Sequence, residues 1–448
     1  MSSLELKWLE ANPDVNHVTA GVCDLNGILR GKRYPVEQAK KILSEPARMP
    51  ETVLHSDIWG QDVWENSWAL DSGDADSMCS YTGRGILPVG WTTVPHVFLP
   101  LWLLDDAGKP FKGDPRGSLA AVQERYAEKG LRPVVAMELE FYLYSLENGK
   151  PLPPRQPGRA GRTDVCSVLG LDQLEQLEGF FNAVYEACAA QGIPADTAIS
   201  ENGAGQYEVN LCHVADPLRA ADDALFFKRL VRGIAQKFGC GATFMAKPYG
   251  DQAGSSMHVH FSLIDEAGKN LFDDGPEKGS MLMKHAVGGM LRALPEMTLI
   301  YAPHLNSYRR LKPHALAPVH VSWGYDNRTA AIRIPGGPAE ARRIEHRVAG
   351  ADANPYLVLA AHLGAALEGI EQEIRPGAPI DGWSYEEDHP QLPTEWSTAI
   401  DLFADGETVR RVFDERLYVM MANLKRHEMA EMAKQVSDVE YDAYLGSV

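Results

Sequence analysis

The chain is short of cysteine: six in 448 residues, none in a CxxC pair. That leaves no sign of a disulfide framework. The scattered thiols (Cys23, Cys79, Cys166, Cys188, Cys212 and Cys240) are expected to be reduced, as in a cytoplasmic protein. A long apolar run is also missing. The stretch VFLPLWLL at residues 97–104 falls well short of the ~20 apolar residues that span a bilayer. No secretion signal is expected, because MSSLELKWLEANPDVNH is acidic and amphipathic, with no basic region ahead of an apolar one. Basic charge is not in excess. Lys and Arg number 43 against 61 Asp and Glu, a net charge of −18, which argues against nucleic acid as the main partner. Neither a P-loop nor a GxGxxG strand–turn–helix unit is present, so a phosphate site has to be built from side chains and metals.

What is present is ordinary in bulk. Apolar residues make up 45% and charged residues 23%, a globular composition, and the length predicts two domains around a large core. Residues 1–108 alternate short apolar runs with Gly and Pro turns, and HVTAGVCDLNGILRGKRYP reads as a hairpin turning at Asn26-Gly27. The turn-rich segment DAGKPFKGDPRG, residues 106–117, is the candidate boundary before a larger domain, 109–448. Beyond it, Leu174, Leu177, Phe181, Val184 and Cys188 fall three and four apart, which predicts a helix over 171–192 stopped by Gly192 and Pro194. Asp216 and Pro217 open a second helix whose stripe runs through Ala220, Ala224, Phe227, Val231, Ile234 and Phe238. The pattern predicts an α+β chain: a small β-rich N-terminal domain and a larger one whose sheet is curved or barrel-like.

The most specific feature is a set of polar residues repeating at strand spacing. Glu138 and Glu140 lie in VVAMELEFYLY, Glu208 in GQYEVNL, His258, His260 and Ser262 in MHVHFSL, and Arg343, Glu345 and Arg347 in ARRIEHRV. Alternate residues of a strand face one way, so each segment places its ionisable groups together, about 6.6 Å apart. A lone strand Glu usually faces solvent. Here the opposite face (Leu139, Phe141, Leu143) is apolar and the two helices need a sheet to cover, so both faces are expected to be occupied. Four Glu (Glu138, Glu140, Glu201, Glu208) with His nearby suit Mg²⁺ or Mn²⁺ better than a closed zinc site. Arg309, Arg310, Arg328, Arg333, Arg342, Arg343 and Arg347 crowd into about forty residues. Guanidiniums hold carboxylate and phosphate bidentately. Carboxylates, imidazoles and arginines share one face only if metals and phosphates balance them, which points to phosphoryl transfer.

In order and spacing, DLNGILRGKR, MELEFYL, ENGAGQYEVN, KPYGDQAGSSMHVHFSL, SYRRLKP, NRTAAIRIP, ARRIEHR and DANPYL resemble the glutamine synthetase superfamily over nearly the whole chain. The resemblance implies a β-grasp N-terminal domain, a catalytic domain of antiparallel strands backed by helices, and a homo-oligomer of two stacked hexameric rings with active sites between neighbouring subunits. It makes Glu140, Glu201 and Glu208 ligands of one metal, and Glu138, His258 and Glu345 ligands of a second. Arg310 and Gly254 match the residues that hold glutamate. Arg328, Arg333, Arg343 and Arg347 match arginines around the phosphates of ATP, and His260 and Ser262 fall at nucleotide-side positions. The implied reaction phosphorylates the γ-carboxylate of glutamate and lets an amine displace the phosphate.

Two departures bear on the amine. Where ammonia-using members carry a glutamate, LKPHALAP has Leu316, and Ala253 stands where they usually have asparagine. An apolar wall suits an alkyl amine, so the expectation is a γ-glutamyl–amine ligase. An ammonia-using glutamine synthetase and a non-catalytic oligomeric relative are the alternatives. Trp59, Trp64 and Trp68, interleaved with Asp57, Asp62, Glu65, Asp71, Asp74 and Asp76, could hold the distal ammonium of a putrescine-type diamine across a subunit boundary, or simply pack an interface. Asp57 is a candidate amine base on position alone. SYEEDHPQLP around Tyr385 is a poor match to the family's adenylylation site, so that control is not expected.

Overall fold

The structure, a computed structural model, describes residues 3–66, 73–154, 167–275, 278–313, 315, 317–386 and 388–448. Leu316, Trp68, Asp71 and Cys166, all named from the sequence, lie outside the described residues. Strands β1 (His17–Cys23), β2 (Leu29–Pro35), β3 (Ala47–Pro50), β4 (Asp76–Tyr81), β5 (Leu87–Val89) and β6 (His96–Leu103) form one sheet in the order β2-β1-β6-β4-β3, with β5 against β6. The hairpin read from HVTAGVCDLNGILRGKRYP is β1–β2, and Gly27 takes the left-handed conformation its turn requires (φ 75°). The apolar strand β6 runs parallel to β1 and antiparallel to β4, and helix Val36–Ile42 packs on β1 and β2, an arrangement consistent with a β-grasp.

Strands β7 (Arg132–Glu147), β8 (Lys150–Leu152), β9 (Ala195–Ser200), β10 (Gln206–Leu211), β11 (Gly241–Thr243), β12 (Met257–Ile264), β13 (Trp323–Tyr325), β14 (Ile332–Ile334) and β15 (Ile344–His346) build the second, curved sheet. Its order is β13-β14-β15-β12-β7-β10-β9, with β8 and β11 also on β7. The 16-residue β7 is its spine. On the convex side Met137, Leu139, Phe141 and Leu143 are buried, and the Phe141 ring meets Phe180, Tyr207, Phe227 and Phe244. Phe180 and Phe227 come from helices Glu178–Gln191 and Pro217–Lys237. Burying each such ring stabilises by roughly 1.5–3 kcal/mol, so alternation along β7 leaves Glu138 and Glu140 facing the other way.

The predicted helix over 171–192 is two: Leu171–Glu175, then Glu178–Gln191, ended by Gly192 at φ 64°. The break lets Phe180 join Phe181, Val184 and Cys188 in the core. Asp216 caps Pro217–Lys237 as expected, accepting from the Arg219 backbone N–H. The sheet departs from all-antiparallel pairing at β13–β14, which are parallel. The connection through the left-handed Asp326 (φ 48°) and the Asn327–Thr329 turn loops the chain back, so that both three-residue stubs run the same way.

The two sheets are tied together. Cys23, Leu25 and Phe98 share the core of the larger sheet, while Leu9, Val18, Leu99 and Phe111 belong to a separate N-terminal core. A buried polar knot adds to this: Lys425 pairs with Glu428 at 2.9 Å, and both hydrogen-bond Asn26. Cys23, Cys79, Cys188, Cys212 and Cys240 form no disulfide. Among the described residues no helix is long and apolar enough to cross a membrane.

Candidate active site

Register in the second sheet decides which polar side chains meet. Glu138 lies opposite His258 on β12 and Asn210 on β10, Glu140 lies opposite Glu208, and Glu345 is flanked by His260 and Arg333. The concave face thus gathers one cavity of about 380 Å³, lined by Glu138, Glu140, Glu201, Glu208, His258 and Glu345 together with Gly254, Arg310, Arg328, Arg333 and Arg347. Donor atoms of Glu138, His258 and Glu345 lie within 4.8 Å of one another, and so do those of Glu140, Glu208 and His258. His258 therefore stands between both groups. Glu201 lines the cavity but is outside either compact group, its Oε2 accepting from the Asn202 backbone N–H at 3.3 Å and side-chain amide at 3.4 Å.

The electrostatics favour a cation here. Burial, then the neighbouring charge of Glu201, pushes Glu140 up to about 7. Burial, then the charges of Glu140, Glu138 and Glu201, pushes Glu208 up to about 10. Glu201 is also raised, chiefly by burial. Glu138 goes the other way. Burial alone would raise it, but hydrogen bonds from His258 (3.2 Å) and His260 (2.9 Å) hold it well below the carboxylate range. Burial and the Arg347 charge lower His258 to about 4, leaving the ring neutral and able to ligate. Several carboxylates that repel one another beside a neutral imidazole are an oxygen-rich donor set that fits hard divalent ions such as Mg²⁺ or Mn²⁺.

The arginines enclose Glu345. This carboxylate is 1% exposed. Its Oε2 accepts from Arg333 Nη1 at 2.7 Å, and its Oε1 from Arg347 Nη1. Burial would raise Glu345, but Arg347, His258, His260 and Arg333 hold it down at about 2. Each oxygen keeps a further lone pair for a cation. Arg333 also reaches Asp326 (2.5 Å), and Arg347 Nε donates to the Arg328 carbonyl (3.1 Å). Arg310 is locked by donating to the carbonyls of Val348 (2.8 Å) and Arg347 (3.2 Å) and to Ser256 Oγ (2.8 Å).

Other residues named from the sequence sit apart from the cavity. His260 bridges Glu138 and Arg343, whose Nε donates to His260 Nδ1 at 3.2 Å. His260, Ser262 and Arg343 follow the same strand face but do not line the cavity. Trp59 and Trp64 are 51% and 65% exposed on the N-terminal part, away from this chain's own cavity. Asp57 organises their loop: its Oδ1 accepts from the backbone N–H groups of Trp59 and Gln61, and its Oδ2 faces His427 at 3.5 Å. The Tyr385 hydroxyl donates to the Ala317 carbonyl at 3.0 Å.

Several lining residues were missed. Gln206 and Asn210 flank Glu208 at two-residue spacing on the same strand face, a signal the alternation already carried. Val168, Leu169, Ile199, Ala315 and Ala317 join Ala253, already named from the sequence, as apolar lining of the cavity. Leu169 holds a left-handed backbone (φ 59°), and its N–H donates to the Ser200 carbonyl at 3.0 Å, tethering this loop beside Glu201. No local pattern marks Val168 or Leu169, because only the folded chain brings them there.

Comparison with known proteins agrees with this geometry. Residues 112–444 match the glutamine synthetase catalytic domain. The chain is 37% identical to the γ-glutamylputrescine synthetase of Escherichia coli strain K12, covering 98% of this chain and 93% of that one. It is 31% identical to a glutamate–isopropylamine ligase of a Pseudomonas species, covering 96% and 95%. A solved GmaS–ADP complex superposes with a TM-score of 0.84 at 26% identity, covering 99% of this chain and 100% of that one. The chain belongs to the glutamine synthetase family and is an enzyme of the ATP-dependent C–N ligase class.

Proposed function

We propose that this enzyme joins the γ-carboxylate of L-glutamate to a primary alkyl amine, putrescine or a similar amine, by way of γ-glutamyl phosphate. The observation that carries the reading is the mixed lining of the cavity. Beside the carboxylates and arginines stand Val168, Leu169, Ile199, Ala253, Ala315 and Ala317. An apolar lining lowers the cost of burying an alkyl chain and offers ammonium nothing. Relatives named for putrescine and isopropylamine support the same class of amine.

In this reading Glu140, Glu201 and Glu208, and Glu138, His258 and Glu345, would hold two or more Mg²⁺ or Mn²⁺, whose charge offsets that of the phosphates. Arg310, held by backbone carbonyls, and Gly254 fix the α-carboxylate end of glutamate. A γ-carboxylate oxygen attacks the γ-phosphorus of ATP and ADP leaves. Arg328, Arg333 and Arg347 face the oxygens on which charge gathers, and Arg343, His260 and Ser262 serve the nucleotide side. The amine nitrogen then attacks the acyl carbon, phosphate leaves, and the nitrogen gives up a proton. Exclusion of water by the apolar lining protects the acyl phosphate.

The same reading takes residues 1–108 as one domain and 109–448 as the catalytic one, in a cytoplasmic dodecamer of two hexameric rings. An N-terminal apolar core drawn from residues 1–108 except for Phe111 supports the division, and Cys23, Leu25 and Phe98 cross it to join the larger core. Restoring the acid that ammonia-using members carry at this sequence position tests the amine reading. Leu316→Glu is expected to gain ammonia-dependent phosphate release and to lose activity with alkyl amines. An unchanged amine preference in an assembled Leu316→Glu protein would contradict the part the sequence position is given.

A further inference from the structure

Gln206, the first residue of β10, is 1% exposed, and its amide touches three functional pieces at once. Nε2 donates to Glu140 Oε2 at 3.2 Å and to the Gly254 carbonyl at 3.0 Å, while Oε1 accepts from the Gly203 backbone N–H at 2.9 Å. Both amide hydrogens and the carbonyl oxygen are therefore used. Among side chains of this length only glutamine offers two donors and an acceptor on one planar group. The Gly203 bond closes the turn that carries Glu201.

The network continues to the acid-binding wall. Glu140 Oε2 also accepts from the Ser256 backbone N–H at 2.9 Å, and Ser256 Oγ accepts from Arg310 Nη2 at 2.8 Å. Gly254 lies directly on the Arg310 stem, where an added Cβ would come within 2.7 Å of Arg310 Cγ. A carboxylate of the cation cluster and the loop and arginine facing the acid substrate thus hang on one buried amide. Any movement of Glu140 toward a cation is passed to the Gly254 carbonyl through a group with no slack.

We propose that Gln206 is a positioning residue that couples cation binding at Glu140 to glutamate binding at the Gly254–Arg310 wall. Such coupling is reciprocal and is typically worth about 5–150-fold in affinity. The inference rests on the glutamate-and-metal reading above but is independent of which amine is used.

The test is Mn²⁺ affinity of the whole protein, read by electron paramagnetic resonance with and without L-glutamate, with no ATP or amine. Wild-type protein is expected to bind Mn²⁺ at least fivefold more tightly with glutamate. Gln206→Glu keeps the acceptor for Gly203 and removes both donors. It is expected to bring that factor below about twofold. Gln206→Met, which removes all three bonds without adding charge, gives the same reading should the carboxylate variant not fold. A wild-type factor retained in these variants, at whatever absolute affinity, would overturn the role of Gln206 and leave the glutamate reading standing. Wild-type protein that binds glutamate without tightening Mn²⁺ would overturn the coupling alone. Wild-type protein that binds no glutamate would overturn both.

Discussion

Glu208 is where the opposing forces in the cavity are largest. It faces Glu140 directly across the β7–β10 ladder, and burial and like charge push it up to about 10. Holding a proton on Glu208 at neutral pH costs folding free energy, so a glutamine in its place should help the metal-free protein and harm the loaded one. Glu208→Gln is expected to raise the thermal midpoint of chelator-treated protein by about 1–3 °C and to abolish most of the rise that Mn²⁺ produces in wild type. A lower midpoint in chelator, with the Mn²⁺ rise intact, would contradict the repulsion. This residue was legible because strand alternation fixes faces before any tertiary contact exists. The same alternation pointed to Gln206 and Asn210, but neutral amides do not stand out among charges. Leu169 was not legible at all, since its place depends on a backbone hydrogen bond to Ser200 thirty residues away.

Elements carry the next layer. The strand β7 works because one face is aromatic and aliphatic and the other is acidic, so burying Phe141 aims Glu138 and Glu140. The link between the two sheets works differently, through Lys425, Glu428 and Asn26, with Lys425 and Glu428 both wholly buried. Removing one member of such a pair strands the other charge, at a cost of about 3–5 kcal/mol. Lys425→Met is therefore expected to lower the thermal midpoint by several degrees, and Lys425→Met with Glu428→Met to recover much of that loss. Equal midpoints for the single and double variants would mean that the charge pair is not what holds this junction. Elements with strong periodicity were readable: the Asn26-Gly27 hairpin, the Asp216-capped helix and the strands bearing the cavity. The split at Gln176–Leu177 was not, because an unbroken stripe of apolar residues gives no sign that Phe180 also has to turn inward. The parallel β13–β14 pair was equally hidden, resting on a turn at Asp326 between segments too short to announce their direction.

At the scale of the whole molecule, the cavity is built by one sheet, while Trp59 and Trp64 stand exposed on the other part of the chain. In the proposed function these exposed rings, with the exposed Asp62 and Glu65 near them in sequence, would take the far ammonium of a diamine held by a neighbouring copy. If so, Trp59→Ala or Trp64→Ala raises the KM for putrescine about tenfold or more, consistent with the ~2 kcal/mol of a desolvated cation–π contact, and barely changes that for ethylamine. Equal effects on both amines would assign these rings to packing alone. The central claim, glutamate activated by ATP and captured by an alkyl amine, is tested most directly by phosphate release. Wild-type protein with Mg²⁺, ATP and glutamate is assayed against putrescine, longer polyamines, ethylamine, isopropylamine, ammonia and no amine. The account predicts strong stimulation by an alkyl amine and little by ammonia. Ammonia as the best substrate, or no stimulation by any amine in assembled, metal-loaded protein, would contradict it.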